Sequence, residues 1–175
     1  MDNKQVIEII ADKYQDIMDI LQINVREDNK NTPQRVAKLL VDMCVNENRP
    51  IELLDRQMSC FENPQDGGRV EIKDIPFNSL CSHHHFPFFG LAKVSYLPDK
   101  KIIGLSKIPR VIKWFSKRPQ LQERLTMQIG EYLVNLLDPL ELKVELYDCV
   151  HTCMLCRGIE SQGKTLTRYY YIKED

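Results

Sequence analysis

The order of helical and extended segments is the feature that most constrains the fold of this chain. Segments rich in β-branched and aromatic residues occupy 70–77, 91–97 and 101–105, and Pro98–Asp99 is typical of a turn between the last two. Apolar residues at helical spacing follow over 106–117 and 119–137, and extended segments return at 141–150 and 164–172. Strands on both sides of a helix pair predict an α+β domain, with the helices on one face of an antiparallel sheet.

The N-terminal third predicts helices and no strands. Apolar residues recur at helical spacing over 3–22, and a second helix is expected with Thr32 as its N-cap and Pro33 as its first helical residue. The Pro- and Gly-containing stretch 61–69 predicts a loop. We therefore expect a helical region over 1–60 and a sheet-containing domain over 61–175.

Charge and composition exclude several classes of partner. The 175 residues include 24 Lys and Arg against 25 Asp and Glu, a formal charge of −1, which favours neither nucleic acid nor an anionic membrane as partner. The N-terminus is polar and the chain has no apolar run near the ~18 residues that span a bilayer, so we expect a cytoplasmic protein. Disulfides are rare in that compartment, so the six cysteines indicate metal ligands or buried thiols.

All four histidines lie in two short segments that also contain cysteine, LCSHHHFPF and VHTCMLCRG. Cys81 and His84 are three residues apart, so one turn can direct both at a single ion, and Cys153 could supply a third ligand. Thiolate and imidazole suit zinc, and catalytic zinc sites keep three protein ligands. Two alternatives stay open: a second candidate pair, Cys153-x-x-Cys156, and a solvated histidine loop without metal. Three other cysteines are expected to be buried thiols: Cys44, Cys60 and Cys149.

Several long motifs together resemble one known family. The segments NTPQRVAKLL, LCSHHHFPFFG, GLSKIPRVIKWFSKRPQLQERLTMQI, HTCMLCRG and GKTLT occur in the order and spacing found in GTP cyclohydrolase I, over most of residues 30–167. The resemblance implies a tunnelling fold in the catalytic domain 61–175 and a toroidal homo-oligomer, a homodecamer or similar, with active sites between subunits. It also implies zinc-dependent conversion of GTP to 7,8-dihydroneopterin triphosphate with release of formate, the reaction from which folate, biopterin and deazapurine synthesis begin.

The same resemblance assigns roles to individual residues. Matched by motif, the zinc ligands are Cys81, His84 and Cys153, and the catalytic residues are His83, His151 and Ser106, with proton transfer assigned to the two histidines. Gln122 and Glu123 would hold the guanine edge, and Ser106 and Lys107 would lie near the ribose and phosphates. Four basic residues would surround the triphosphate: Arg35, Lys38, Arg110 and Arg157.

Some of these residues also have ordinary structural interpretations. Arg35 and Lys38 would be solvated on a helix face, and Glu123 with Arg124 would form a helix-surface pair. Lys117–Arg118 is expected to be a solvated pair without a role.

The chain departs from the family's common pattern at three positions. Ser82 stands where Glu is usual, His85 where an apolar residue is usual, and Asp148 where Glu is more usual. Two alternative functions stay open, namely a variant cyclohydrolase with a different pterin product and an inactive, zinc-stabilised nucleotide-binding homologue. The presence of both His83 and His151 favours the full reaction over a variant cyclohydrolase. The complete set of site residues favours an enzyme over an inactive homologue.

Overall fold

The computed structural model describes residues 1–64 and 68–174. The chain divides into two compact units, Met1–Val45 and Asn46–Asp175, and each is described by itself.

The first unit is a pair of helices, α1 (Asn3–Ile20) and α2 (Thr32–Met43), packed on each other. Asp2 begins α1 with a capping box, since its carboxylate accepts from the Gln5 backbone while the Gln5 side chain accepts from the Asp2 backbone. The expected N-cap of α2 was wrong by one residue. Asn31 is the N-cap, because its carbonyl already accepts from the Arg35 backbone N–H at 3.1 Å, and Thr32 is the first helical residue.

The second unit is built on a five-stranded sheet with the order β5-β2-β3-β6-β7. These strands are β2 (Val70–Cys81), β3 (Pro87–Leu97), β5 (Pro119–Gln120), β6 (Glu141–His151) and β7 (Thr165–Ile172). The β2–β3, β3–β6 and β6–β7 pairs are antiparallel, as expected, whereas β5 pairs in parallel with the end of β2. A two-residue strand carries no alternating pattern, so this parallel pair was not predictable from local residue patterns.

Two helices cover this sheet, α4 (Lys107–Ser116) against β2 and α5 (Gln122–Leu137) against β6 and β7. The core lies between them and the sheet, where Phe88, Ala92 and Val94 of β3 are joined by Ile108 of α4 and Ile129 of α5, all at most 1% exposed. The α+β prediction is therefore confirmed.

Three short elements were not expected. β1 (Cys60–Glu62) pairs antiparallel with β4 (Lys101–Ile103), so the loop prediction for 61–69 was wrong at its start, while 65–67 lie outside the described residues. This strand exists because of a partner forty residues away, which local composition does not show. The short helices are α3 (Glu52–Asp55) and α6 (Thr152–Leu155).

Two bulges interrupt the sheet. The β2–β3 register shifts between Ile72 and Ile75, and the β6–β7 register shifts between Leu146 and Cys149. Asp74 and Asp148 lie within these shifts with φ of 59° and 52°, a region that Asp tolerates better than most residues. Within the described part of the chain, no helix is long and apolar enough to cross a membrane.

Candidate metal centre and active site

A tight turn at the end of β2 gathers one thiol and two imidazoles. The Cys81 backbone N–H donates to the Phe86 carbonyl at 2.8 Å, and the His85 N–H donates back to the Cys81 carbonyl at 2.8 Å, with His85 at φ 53°. The Cys81 Sγ lies 3.7 Å from His84 Nδ1 and 3.9 Å from His83 Nδ1. One possible ligand atom from each of Cys81, His83 and His84 lies within 4.8 Å of the others. This turn over 81–86, the metal turn, can therefore hold a metal ion.

Cys153, on the first turn of α6, brings a second thiol to this turn. Burial raises the pKa of the Cys153 thiol, and a side-chain hydrogen bond with Cys81 raises it further. The structure therefore groups Cys81 and His84, two of the three expected ligands, with His83, which the resemblance assigns to proton transfer, and Cys153 interacts with Cys81 beside that group. Cys156, the other member of the Cys-x-x-Cys pair, is exposed at the end of α6.

Arg157 places a cation beside this cluster. Its guanidinium Nη1 lies 2.5 Å from His84 Nε2, and because Arg only donates, the histidine nitrogen is the acceptor. One of the four basic residues expected around a triphosphate therefore contacts an expected metal ligand.

His151 ends β6 next to the cluster, two residues before Cys153, and its ring is held on two sides. The imidazole stacks on Phe88, with ring centroids 4.6 Å apart and planes 5° from parallel. Its Nε2 lies 2.8 Å from the Gln122 Oε1. Burial lowers the pKa of His151, and the Glu123 carboxylate raises it in part, so Glu123 lies close enough to act on the ring.

The Gln122 side chain is buried, and its amide is bonded to protein at both ends. Oε1 accepts from the Thr165 hydroxyl at 2.5 Å as well as facing His151, while Nε2 donates to the Leu146 carbonyl at 3.3 Å and to Thr167 at 3.1 Å. The Thr167 hydroxyl also bonds Thr126 at 2.6 Å. Sequence reasoning missed these threonines. The available signal was the GKTLT motif, where Thr165 and Thr167 share one face of an alternating strand.

Arg124, which was considered as one member of a helix-surface pair with Glu123, instead binds the two residues of β5. Arg124 Nε donates to the buried Gln120 Oε1 at 2.8 Å, and its Nη2 donates to the Pro119 carbonyl at 2.7 Å. The Gln120 carbonyl in turn accepts from the Ser82 N–H at 3.0 Å, so this bonding reaches the metal turn.

The expectation of a solvated Lys117–Arg118 pair was wrong for Arg118. Its guanidinium lies over the Phe115 ring, 5.5 Å from the centroid, and burial lowers its pKa. Packing of the guanidinium on an aromatic face, which sequence spacing does not reveal, explains the difference.

The remaining expected residues lie at helix ends or on exposed faces. Ser106 precedes α4, Lys107 begins it, and Arg110 is exposed on its first turn. Arg35 and Lys38 are exposed on α2 of the first unit. Among the residues that the structure describes, no hydrogen bond or ion pair joins Ser106, Lys107 or Arg110 to the metal turn.

A thiol and two imidazoles that could hold a metal ion, next to a histidine that is fixed by stacking and a hydrogen bond, are typical of metal-dependent hydrolytic enzymes. The family model described as GTP cyclohydrolase I matches residues 10–174. The chain belongs to the GTP cyclohydrolase I family, and its family membership confirms the expected tunnelling fold and the expected enzyme class.

Curated relatives agree with this assignment. A GTP cyclohydrolase 1 from Parabacteroides distasonis is 42% identical over 161 residues, covering 91% of this chain and 81% of the relative. One from Streptococcus agalactiae is 45% identical over 145 residues, with 81% and 75% covered. One from Sulfurihydrogenibium is 44% identical over 137 residues, with 78% and 69% covered.

Proposed function

We propose that this protein converts GTP to 7,8-dihydroneopterin triphosphate and formate with Zn²⁺ as its cofactor. The observation that carries the proposal is the group of Cys81, His83 and His84 at one turn, with Cys153 beside Cys81 and with a half-buried, oriented His151, in a chain of the GTP cyclohydrolase I family.

The donor set of the metal turn fits zinc. Two thiols and an imidazole are borderline-soft ligands, which favour zinc over magnesium or calcium. We assign Cys81, His84 and Cys153 as ligands, and the ion, when bound, would supply Lewis-acid chemistry that makes water nucleophilic at neutral pH. His83, which the same turn carries, is then free to exchange protons rather than to bind.

The two remaining imidazoles would act as catalytic proton carriers. Carbon C8 of guanine is a poor electrophile toward water, and protonation of N7 by a nearby imidazole makes it a better one as attack proceeds. We assign His83 to the purine and His151 to the ribose, with Ser106 as a third catalytic residue.

Substrate selection would rest on the Glu123 carboxylate, which is exposed at the start of α5. A carboxylate can accept from both the N1–H and the 2-amino group of guanine, and adenine lacks this pair of donors. Gln122 supports the same guanine site from the adjacent position, although its amide is bonded to protein.

The triphosphate would be bound by cations from several elements. Lys107 and Arg110 at the start of α4 and Arg157 beside His84 would supply this charge in the second unit. The resemblance also assigns Arg35 and Lys38, on α2 of the first unit, to phosphate binding. Arg presents forked donors that match phosphate oxygens, whereas Lys acts as a point charge.

The sheet supports a homo-oligomer. β7 lies at the edge of the five-stranded sheet, and its exposed face carries Leu166, Tyr170 and Ile172, which are 45–73% exposed. An apolar edge strand is a site for pairing with another chain. We therefore propose a toroidal homo-oligomer, a homodecamer or similar, with active sites between subunits, working in the cytoplasm where GTP and free thiols coexist.

The test is incubation of the zinc-loaded protein with GTP, with formate and the pterin measured by mass spectrometry. We expect one formate per dihydroneopterin triphosphate. Formate with a pterin of another mass would indicate the variant reaction, and zinc and GTP bound without turnover would refute the enzymatic proposal.

Two variants test the assigned residues. Cys153→Ala should lose zinc and activity together, while the exposed Cys156→Ala, the matched control, should keep both. Glu123→Gln should raise the KM for GTP while leaving the zinc content unchanged. Normal zinc content in Cys153→Ala would contradict the ligand assignment.

A further inference from the structure

We infer that Gln122 is a positioning residue that fixes the tautomer of His151, with the proton on Nε2 and Nδ1 left as the atom that exchanges a proton. The tautomer follows from the hydrogen bonds alone, whereas its use in catalysis rests on the proposed function.

The orientation of the Gln122 amide is fixed at its nitrogen end. One amide atom faces the Leu146 carbonyl at 3.3 Å, and a carbonyl oxygen can only accept. This atom must therefore be the NH₂ group, because the reversed amide would place two oxygens against each other in a buried position. The second hydrogen of the same group is directed at Thr167 Oγ1, 3.1 Å away.

The oxygen end of the amide therefore faces His151 and Thr165. Oε1 cannot donate, so both neighbours must donate to it: the Thr165 hydroxyl at 2.5 Å and the His151 Nε2 at 2.8 Å. A neutral imidazole carries one proton, and this contact requires that proton on Nε2. Nδ1 is then the acceptor of the neutral ring.

The ring cannot easily exchange its two nitrogens by rotation. Its stacking on the fully buried Phe88, with planes 5° from parallel, restricts it to one plane, and a flip of the ring would break the Nε2–Gln122 bond. Where a histidine transfers a proton in catalysis, the wrong tautomer leaves the position of the ring unchanged but puts the hydrogen on the wrong ring nitrogen, so the transfer fails. Gln122 thus contributes to the reaction through His151 rather than by contact with the reacting atoms.

The test reads the tautomer directly in the zinc-loaded protein without substrate. Solid-state NMR of protein labelled with ¹⁵N,¹³C-histidine, at about pH 8 where an ordinary imidazole is neutral, distinguishes protonated Nε2 from protonated Nδ1. His151→Asn identifies the signal among the four histidines. We expect Nε2–H in the wild type, and Nδ1–H there would overturn the inference without any variant.

Two variants of Gln122 then test its part. Gln122→Met keeps the side-chain length and removes both hydrogen-bonding ends, so the His151 signal should become a mixture of tautomers and kcat should fall by about 10- to 100-fold. kcat should fall by a larger factor than the KM for GTP rises, since Glu123, which is assigned the two hydrogen bonds to guanine, is unchanged. Gln122→Glu keeps an acceptor for Nε2 and should recover Nε2–H, but its second oxygen would face the Leu146 carbonyl, so this variant should also unfold at a lower temperature than the wild type.

The matched control is Gln128→Glu, the same change on α5. Gln128 Oε1 accepts from Gln120 at 2.8 Å, so the carboxylate keeps this bond and the His151 signal should not change. Pure Nε2–H in Gln122→Met, or a raised KM with unchanged kcat, would refute the positioning role. If wild type makes no product from GTP, the proposed function fails, while the NMR result still decides the tautomer.

Discussion

Gly130→Ala should destabilise the second unit, because no room for a methyl group exists where α5 crosses β7. A Cβ built on Gly130 would lie 2.2 Å from Tyr169 Cδ1 and 2.5 Å from its Cγ, far inside a normal carbon–carbon contact of about 3.5 Å. The ring must therefore move by more than an ångström, or the helix must lift from the strand.

The magnitude follows from two opposing effects. Ala in place of Gly stabilises a helix interior by about 1 kcal/mol, whereas overpacking a well-packed site costs about 1–3 kcal/mol. Three ring atoms lie within 2.6 Å of the added carbon, so we take the upper end of that range. The net loss is about 2 kcal/mol, which corresponds to a fall in Tm of about 4–8 °C for a chain of this size.

The assay is thermal unfolding followed by circular dichroism, with Gly104→Ala as the matched control. A Cβ at Gly104 would meet its nearest atoms at 3.6 Å, an ordinary contact, so that variant should unfold at or slightly above the wild-type temperature. In a Tyr169→Leu background the cost of Gly130→Ala should shrink, because the ring atoms are gone. A Gly130→Ala protein as stable as the wild type would refute the reasoning.

Two further predictions concern the surroundings of the site. Arg124→Met should lower the free energy of unfolding, measured with denaturant, by about 1–3 kcal/mol, because the buried Gln120 Oε1 loses the guanidinium that donates to it at 2.8 Å; an unchanged midpoint would contradict this. Burial raises the pKa of Cys149 to about 12, so at neutral pH this thiol is protonated and should react with a thiol reagent only after unfolding, whereas the exposed Cys156 should react at once. Rapid labelling of Cys149 in the folded protein, located by peptide mass spectrometry, would exclude this account.

The larger elements could be predicted from periodicity, because each buries one face over many residues. The expected helix over 119–137 corresponds to α5 (Gln122–Leu137), and its first residues instead form β5. The expected strand over 70–77 continues to Cys81, since β2 pairs with β3 up to the Leu80–Pro87 contact. Such extensions depend on partner strands, which local patterns do not contain.

The metal turn was the most predictable part of the candidate site. Cys81 and His84 are so close in sequence that one turn brings them together, independently of the tertiary structure. The network around Gln122 is the opposite case. Its partners come from α5, β6 and β7, and hydrogen bonds between such distant segments follow from tertiary packing and not from residue spacing.

The direction of the His151 side chain could not be predicted from regular strand alternation either. Leu146 is fully buried under the helices, and strict alternation along β6 would turn 148 and 150 inward and His151 outward. The register shows instead that Ala92 pairs with Leu146 and Phe88 with His151, one residue more on β6 than on β3.

Asp148 accounts for the extra residue, and its φ of 52° marks the bulge that absorbs it. The adjacent Tyr147 hydroxyl donates to Asp74 at 2.5 Å, and Asp74 lies in the bulge of β2. The two irregularities are therefore bonded to each other. The extra residue in β6 reverses which side of the sheet the following side chains face. His151 therefore faces Gln122, while Leu146 remains in the core. A sequence pattern that assumes regular strands places this histidine on the wrong face, because the irregular residue is what determines its orientation.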